Sequence, residues 1–235
     1  MTLLLQRLLC LTVFAICLVG DAQAQVIATL GLTQHVTAKY SDPECTVIVE
    51  ELSASHKLVI LAKNSEYVTV LNTDGAELYV PTFAVVFREK VTLKQALEKV
   101  DYFERERQRY PDRGTYFDIQ AGPWVALVAR HLGSQKDAGT LPDVTGTRAR
   151  DYVAPKLTVK NSTQYSLRVY LVGPTTVTRT IRAGASLGER FPAGSYRAVV
   201  QALSGSVRPL KTTWKLDTGY EHQITLVIKT VRVPR

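Results

Sequence analysis

The residues whose types and order best fit a catalytic site lie in the C-terminal half. Ser186 stands in a Gly-x-Ser-x-Gly motif and is followed by Asp217 and His222, the order of a serine hydrolase triad. A serine hydrolase needs such a serine on a tight turn from a strand into a helix, beside amides that stabilise the oxyanion. Here Pro192 follows within a few residues and would break that helix. The motif therefore predicts a glycine-rich loop between strands. We predict no catalytic residues and no enzyme, and a Ser186 hydrolase stays the catalytic alternative.

Metal and cofactor sites have no signature either. The histidines His35, His56, His131 and His222 are scattered and form no His-x-x-x-His or Cys-x-x-Cys arrangement. The chain has neither a phosphate-binding loop nor a Gly-x-Gly-x-x-Gly motif. We predict no metal site and no cofactor.

Residues 1–24 have the three parts of a secretory signal peptide: the charged Arg7, an apolar run over 8–19 and the small-x-small site Ala22-Gln23-Ala24. The apolar run is shorter than the roughly 20 residues that cross a bilayer. The sequence predicts export by the Sec pathway to the periplasm or the extracellular space, and a chain from Gln25 that does not span a membrane. A lipoprotein anchored at Cys17 is the alternative, although the bulky Ile16 precedes that cysteine.

Cys45 is the one cysteine after the predicted signal peptide, so no intramolecular disulfide is expected. It starts an alternation with Val47 and Val49, which predicts a strand with Cys45 buried. An exposed reactive thiol or an intermolecular bridge is the alternative.

Charge is spread unevenly along a chain of 235 residues and net charge +8. Residues 26–90 hold 5 basic and 8 acidic residues, residues 91–150 hold 10 and 8, and residues 151–235 hold 13 and 4. The basic C-terminal part is either attracted to polyanions or simply a solvated basic surface.

A basic stripe that binds nucleic acid would use these arginines and tyrosines: Arg168, Arg179, Arg182, Arg190, Arg197, Arg208, Tyr165, Tyr170 and Tyr196. No recognition motif accompanies them, so nucleic acid is not predicted as a partner.

Residues 44–85 have the pattern of short strands. An apolar run covers 58–62, and a β-branched and aromatic run covers 67–71. Asp74-Gly75 marks a tight turn, and Tyr79-Val80-Pro81 closes the stretch. The spacing of the turns predicts a small barrel.

The segment 57–70, with Asp74-Gly75 and Tyr79-Val80-Pro81, resembles the middle of a bacterial SH3-like domain. The family's opening motif is missing, and Leu78 replaces its glycine. The resemblance, over about 50 of 235 residues, implies an SH3-like barrel that binds cell-wall peptides or polysaccharides. Tyr67 and Tyr79 are the candidate contact residues because aromatic rings bind sugars and peptides; the alternative is that both are ordinary core residues.

Residues 92–110 predict a helix. Thr92 and Gln95 form a capping box, and Leu93, Ala96, Leu97, Val100 and Phe103 lie on one apolar stripe. Asp101 and Arg105 have the spacing of an i,i+4 ion pair. Residues 115–150 fit either a helix or a strand, and 133–155 predict a loop.

Residues 156–233 alternate between apolar and polar positions, which predicts strands with one packed and one solvated face. The stretch, with Pro192-Ala193-Gly194-Ser195-Tyr196, resembles secreted bacterial β-sandwich domains of the carboxypeptidase-regulatory or PEGA type.

The predicted fold class is mainly β: a signal peptide (1–24), an SH3-like barrel (25–90), a helical connector and loop (91–155) and a basic β-sandwich (156–235). The predicted function is a non-enzymatic exported binding protein of the bacterial cell envelope, with a wall polymer or an envelope protein as partner. The alternative is a structural or assembly subunit held by protein contacts. The sequence leaves the oligomeric state open.

Overall fold

The computed structural model describes residues 25–149, 154–204 and 207–227, so the predicted signal peptide lies outside the described residues. The chain is mainly β, as predicted, with two α-helices in the described part. It divides into two compact units, the first of 25–70 and 77–98 and the second of 71–76 and the described residues from 99 onward. Each unit has its own buried apolar cluster.

The first unit is built on a seven-stranded sheet with the strand order β3-β2-β6-β5-β4-β1-β7. Its strands are β1 Val26–Thr33, β2 Thr37–Tyr40, β3 Ile48–Leu52, β4 Lys57–Lys63, β5 Tyr67–Leu71, β6 Glu77–Pro81 and β7 Val85–Thr92. A short 3-10 helix, Thr82–Ala84, precedes β7. The predicted strands at 58–62, 67–71 and 78–80 are confirmed, whereas the sequence patterns do not predict β1, β2 or β7.

Alternation places the core of this unit on one face of β5 and β6. Val68, Val70 and Val80 are fully buried and Leu78 nearly so. They pack with residues from β3 and β4 in one apolar cluster. The residues between them lie on the opposite face, as period-two geometry requires.

The prediction of a buried Cys45 within a strand is wrong. Cys45 lies in a turn, with a φ of 56°, and its side chain is partly exposed. The Asp42 carboxylate accepts hydrogen bonds from the backbone N–H groups of Thr46 (2.9 Å) and Val47 (2.7 Å), which holds this segment in a turn. The strand therefore begins only at Ile48.

Helix α1, Leu93–Arg109, confirms the predicted helix and its capping box. The Thr92 backbone N–H donates to Gln95 Oε1 at 2.8 Å, and the Gln95 N–H donates to Thr92 Oγ1 at 3.3 Å. Helix α2 covers Gly114–Ser134, so the first part of the segment 115–150, whose pattern fits either a helix or a strand, is helical.

The second unit has two sheets. Its strands are β8 Gly139–Thr140, β9 Thr145–Arg148, β10 Lys156–Asn161, β11 Leu167–Val172, β12 Val177–Ile181, β13 Ser186–Arg190, β14 Gly194–Ala202, β15 Leu210–Leu216 and β16 Tyr220–Leu226. The four-stranded sheet has the order β13-β10-β16-β9, and the five-stranded sheet has the order β12-β11-β14-β15-β8. Side chains from both sheets, among them Trp214, Tyr196 and Leu157, form one buried cluster.

The expected solvated face of β11 is a second correction. All six residues of β11 are buried. Leu167, Val169 and Leu171 belong to the cluster between the sheets, while Arg168 and Tyr170 lie on the other face. That face is covered because helix α2 packs against β11, β12 and β14.

Arg179 joins three elements of the second unit. It lies on β12, an edge strand, and only 6% of its side chain is exposed. Its guanidinium binds Glu189 of β13 with two contacts of 2.7 Å and Asp118 of α2 with two contacts of 2.9 Å. Burial alone would lower the pKa of Arg179, but the hydrogen bonds to Glu189 and Asp118 outweigh it and raise the pKa. Arg107 contacts the same two carboxylates at 3.5 and 3.7 Å.

Arg168 is the second buried arginine. It contacts Asp101 at 2.5 Å and Glu104 at 3.4 Å, both on α1. Asp101 therefore pairs with the sheet and not with Arg105, the partner that the helical spacing suggested.

The side-chain amide of Asn161, the last residue of β10, makes hydrogen bonds to the neighbouring loops. Its side chain is fully buried, and its Nδ2 donates to the carbonyl oxygens of Tyr165, Ile181 and Arg182 at 2.8–3.0 Å. Its Oδ1 accepts from the Thr163 N–H and hydroxyl. One side chain thereby satisfies the polar backbone groups of two loops.

Replacing Arg179 with alanine is expected to lower the free energy of unfolding by about 3–5 kcal/mol, because it leaves two half-buried carboxylates without their main partner. Urea unfolding measures the change. Arg182→Ala, an exposed arginine of the same region, is the control and should change stability by less than about 0.5 kcal/mol. A loss below about 1 kcal/mol for Arg179→Ala would contradict this role.

Stability is expected to fall at alkaline pH through Tyr170. Burial raises the pKa of Tyr170 to about 12, whereas an unfolded tyrosine titrates near pH 10. The unfolded chain therefore releases the proton first, and the free energy of unfolding drops as pH rises from about 10 to 12, by on the order of 3 kcal/mol. Urea unfolding across this range should show a shallower drop for Tyr170→Phe, and equal drops would contradict the assignment.

Candidate functional site

The two tyrosines predicted to bind ligand, Tyr67 and Tyr79, are brought together on the first unit. Tyr67 begins β5 and Tyr79 lies in the middle of β6. Each neighbours buried core residues, so each side chain lies on the sheet face away from the core and is partly exposed. The ring centroids are 5.1 Å apart with an interplanar angle of 89°, an edge-to-face contact.

Two residues that the sequence analysis missed extend this pair. Tyr40 of β2 lies directly opposite Tyr79, and Ile48 of β3 lies directly opposite Tyr40. Residues directly opposite in antiparallel strands share a face. We call Tyr67, Tyr79, Tyr40 and Ile48 the aromatic row. It crosses four adjacent strands, and Ile48 is 58% exposed.

The aromatic row is held by the turn between β4 and β5. The Asn64 carboxamide oxygen accepts hydrogen bonds from the N–H groups of Glu66 (2.8 Å) and Tyr67 (2.7 Å). The Thr82 N–H donates to the Glu66 carbonyl at 2.9 Å, which ties the 3-10 helix to this turn. Phe83 in that helix is 75% exposed. The start of β5 and the end of β6 are therefore fixed together, and with them the two rings.

Carboxylates flank the aromatic row on the side of the β2–β3 hairpin. Asp42, Glu44, Glu50 and Glu51 all lie between Tyr40 and Leu52. The hydrogen bond from the Thr46 backbone lowers the pKa of Asp42, with further lowering by Val47, so Asp42 is charged at neutral pH. Glu50 is partly neutralised by Lys39, whose Nζ lies 2.7 Å away. This edge favours neutral or amine-bearing ligands over anions.

The residues of the possible hydrolase triad are not brought together. Ser186 lies on β13 opposite Lys160, while His222 lies on β16 opposite Leu157, with β10 between the two strands. His222 is buried, and its Nε2 accepts a hydrogen bond from the Asp217 backbone N–H at 3.0 Å. That nitrogen is therefore occupied by the backbone and does not face a serine hydroxyl.

The arginines and tyrosines considered for a nucleic-acid stripe do not form one exposed surface on the second unit. Tyr170 and Tyr196 are fully buried, and Arg168 and Arg179 are held by carboxylates.

Among the described residues, no group of three or more histidine, cysteine, aspartate or glutamate side chains is arranged to hold a metal ion. No helix in the described ranges combines the length and the apolar character needed to cross a membrane.

Comparisons with known proteins do not assign this chain to a family. No protein-family model matches it, and neither the curated proteins nor the solved structures contain a significant match.

A double-mutant cycle is expected to detect the contact within the aromatic row. Edge-to-face pairs contribute about 0.5–1.5 kcal/mol beyond their buried area. Unfolding free energies of Tyr67→Ala, Tyr79→Ala and the double variant should give a coupling energy in that range. Tyr67 and Tyr220, which belong to different compact units, form the control pair and should show additive losses. Additivity for Tyr67 and Tyr79 would contradict the contact.

Proposed function

We propose that this chain is a non-enzymatic, exported binding protein of the bacterial cell envelope that recognises a wall polymer or an envelope partner. The observation that carries the proposal is the aromatic row, a partly exposed line of three tyrosines and Ile48 across four strands. Tyrosine rings bind sugars and peptides with a large contact area and lose few rotamers.

The connectivity of the first unit supports an SH3-like arrangement. Strands β4, β5 and β6 are consecutive neighbours, β1 pairs with β7, and a 3-10 helix precedes the last strand. In the second unit, the single apolar cluster shared by two sheets supports a β-sandwich. Both arrangements agree with the families that the sequence resembles.

Rigidity makes the aromatic row a good binding surface. The Asn64 and Thr82 hydrogen bonds hold both ends of the Tyr67–Tyr79 pair before any ligand arrives. A preorganised surface loses less conformational entropy on binding than a flexible one. The nearby carboxylates favour a ligand with free amines, such as a peptide that carries a diamino acid.

The second candidate function is a structural or assembly subunit. It is favoured by β3, which pairs only with β2 among the described strands. Ile48 and Val49 at the start of β3, and Val47 just before it, are each more than half exposed. An apolar edge strand is a template for pairing with another chain. Size-exclusion chromatography with light scattering and crosslinking in cells test this function; a monomer without crosslinked partners would count against it.

The main test is co-sedimentation of residues 25–235 with purified peptidoglycan. We expect pelleting to persist at about 1 M salt, where the Debye length is only about 3 Å and simple charge attraction is screened. Tyr67→Ala and Tyr79→Ala should each weaken binding by about tenfold or more, as central aromatic contacts do. The matched control is Tyr220→Ala, an exposed tyrosine of the second unit.

Three results would overturn the wall-polymer proposal. Pelleting that disappears at high salt would show charge attraction by the basic second unit alone. Unchanged pelleting of folded Tyr67→Ala and Tyr79→Ala proteins would show that the aromatic row does not bind the polymer. No pelleting at either salt concentration would leave the assembly function as the better explanation.

A further inference from the structure

The helices of the second unit carry a further group of exposed side chains. We call residues 99–119 the helical corner; it comprises most of α1, the connection Tyr110–Arg113 and the start of α2. Four large apolar or aromatic side chains are exposed here by 44–58%: Tyr102, Tyr110, Tyr116 and Ile119. Such a concentration on the surface of one segment indicates a contact surface.

In the helical corner, most acidic side chains are held in ion pairs, and most basic side chains are exposed to solvent. Its carboxylates are mostly in ion pairs: Asp101 and Glu104 with Arg168, Asp118 with Arg179, and Glu106 with Arg109. Asp112 is the remaining exposed carboxylate of this segment. The basic residues Lys99, Arg105 and Arg113 are exposed, as is Arg109, whose charge is partly balanced by Glu106. A segment with equal numbers of acidic and basic residues thus presents a positive surface to solvent.

The aromatic residues lie among these cations. Tyr102, Arg105 and Arg109 are spaced i, i+3 and i+7, so they share one side of α1. At the connection, Tyr110 stacks on Phe117 with ring centroids 6.3 Å apart, and Tyr116 contacts Phe117 at 5.3 Å. Ile119 follows Tyr116 by three positions on α2. The exposed rings around the connection therefore form a continuous group beside Arg109 and Arg113.

We propose that the helical corner docks on the surface of an anionic lipid bilayer. Arginines bind lipid phosphates, and tyrosines favour the boundary between headgroups and acyl chains. The exposed Ile119 and Tyr116 favour a lipid surface over a soluble polyanion, because burying an aliphatic side chain stabilises only a complex that offers an apolar phase. The helical corner belongs to the second unit and shares no residue with the aromatic row of the first unit.

Sedimentation with vesicles tests the proposal, using residues 25–235 and equal parts phosphatidylglycerol and phosphatidylcholine. We expect binding to these vesicles and not to phosphatidylcholine alone. Arg105→Gln/Arg113→Gln should weaken binding roughly 25-fold, which is about fivefold for each cation lost. The control Arg182→Gln/Arg197→Gln removes the same charge from other exposed positions of the second unit and should change binding less than twofold. Equal losses in both double variants would overturn the proposed location.

A second variant separates a lipid surface from a soluble polyanion. Tyr116→Ser/Ile119→Ser keeps every charge and should weaken vesicle binding about tenfold through lost apolar burial. Unchanged vesicle binding by this variant, together with equal binding of the unmodified protein to soluble polyphosphate, would overturn the lipid assignment. Tyr67→Ala/Tyr79→Ala should bind vesicles like the unmodified protein, so failure of this proposal and failure of the wall-polymer proposal give different results.

Discussion

Much of the second unit depends on one buried guanidinium. Arg179 lies where the edges of the two sheets and helix α2 meet, and it satisfies Glu189 and Asp118 with paired hydrogen bonds. A charge buried to this extent is tolerated only with charged partners at hydrogen-bonding distance. The positions of β13 and α2 are therefore coupled: neither can shift without leaving an ion unpaired. Arg168 imposes the same condition on α1 through Asp101 and Glu104.

Because these two arginines are buried in ion pairs, the charge counted along the sequence does not show where positive charge reaches the surface. By sequence, residues 151–235 look like a strongly basic surface, with 13 basic and 4 acidic residues. Two of these arginines neutralise helical carboxylates instead of facing solvent, and the helices consequently present their own arginines outward. Net charge along a chain thus predicts attraction to polyanions in general but does not predict which element presents the charge.

Sequence periodicity predicted the elements whose environment is one-sided. Strands β5 and β6 have a core face and an exposed face, and α1 carries a capping box and an apolar stripe. Periodicity failed at β11, where a helix covers the second face, and at Cys45, where the Asp42 side chain stabilises a turn. Within the aromatic row, Tyr67 and Tyr79 follow from their flanking strands. Tyr40 and Ile48 do not, because strand pairing and a register shift beside Tyr40 place them there.

The buried amide of Asn161 has a consequence for producing this protein in other cells. Asn161-Ser162-Thr163 is an acceptor sequence for N-linked glycans. In the folded chain Nδ2 already donates to three carbonyl oxygens and is inaccessible to a transferase. A eukaryotic secretory pathway modifies chains before they finish folding, and a sugar on this nitrogen would keep β10 from closing against its neighbours. Expression in a eukaryotic secretory host would therefore divide the product into a folded, unglycosylated fraction and a glycosylated fraction that cannot reach the native structure.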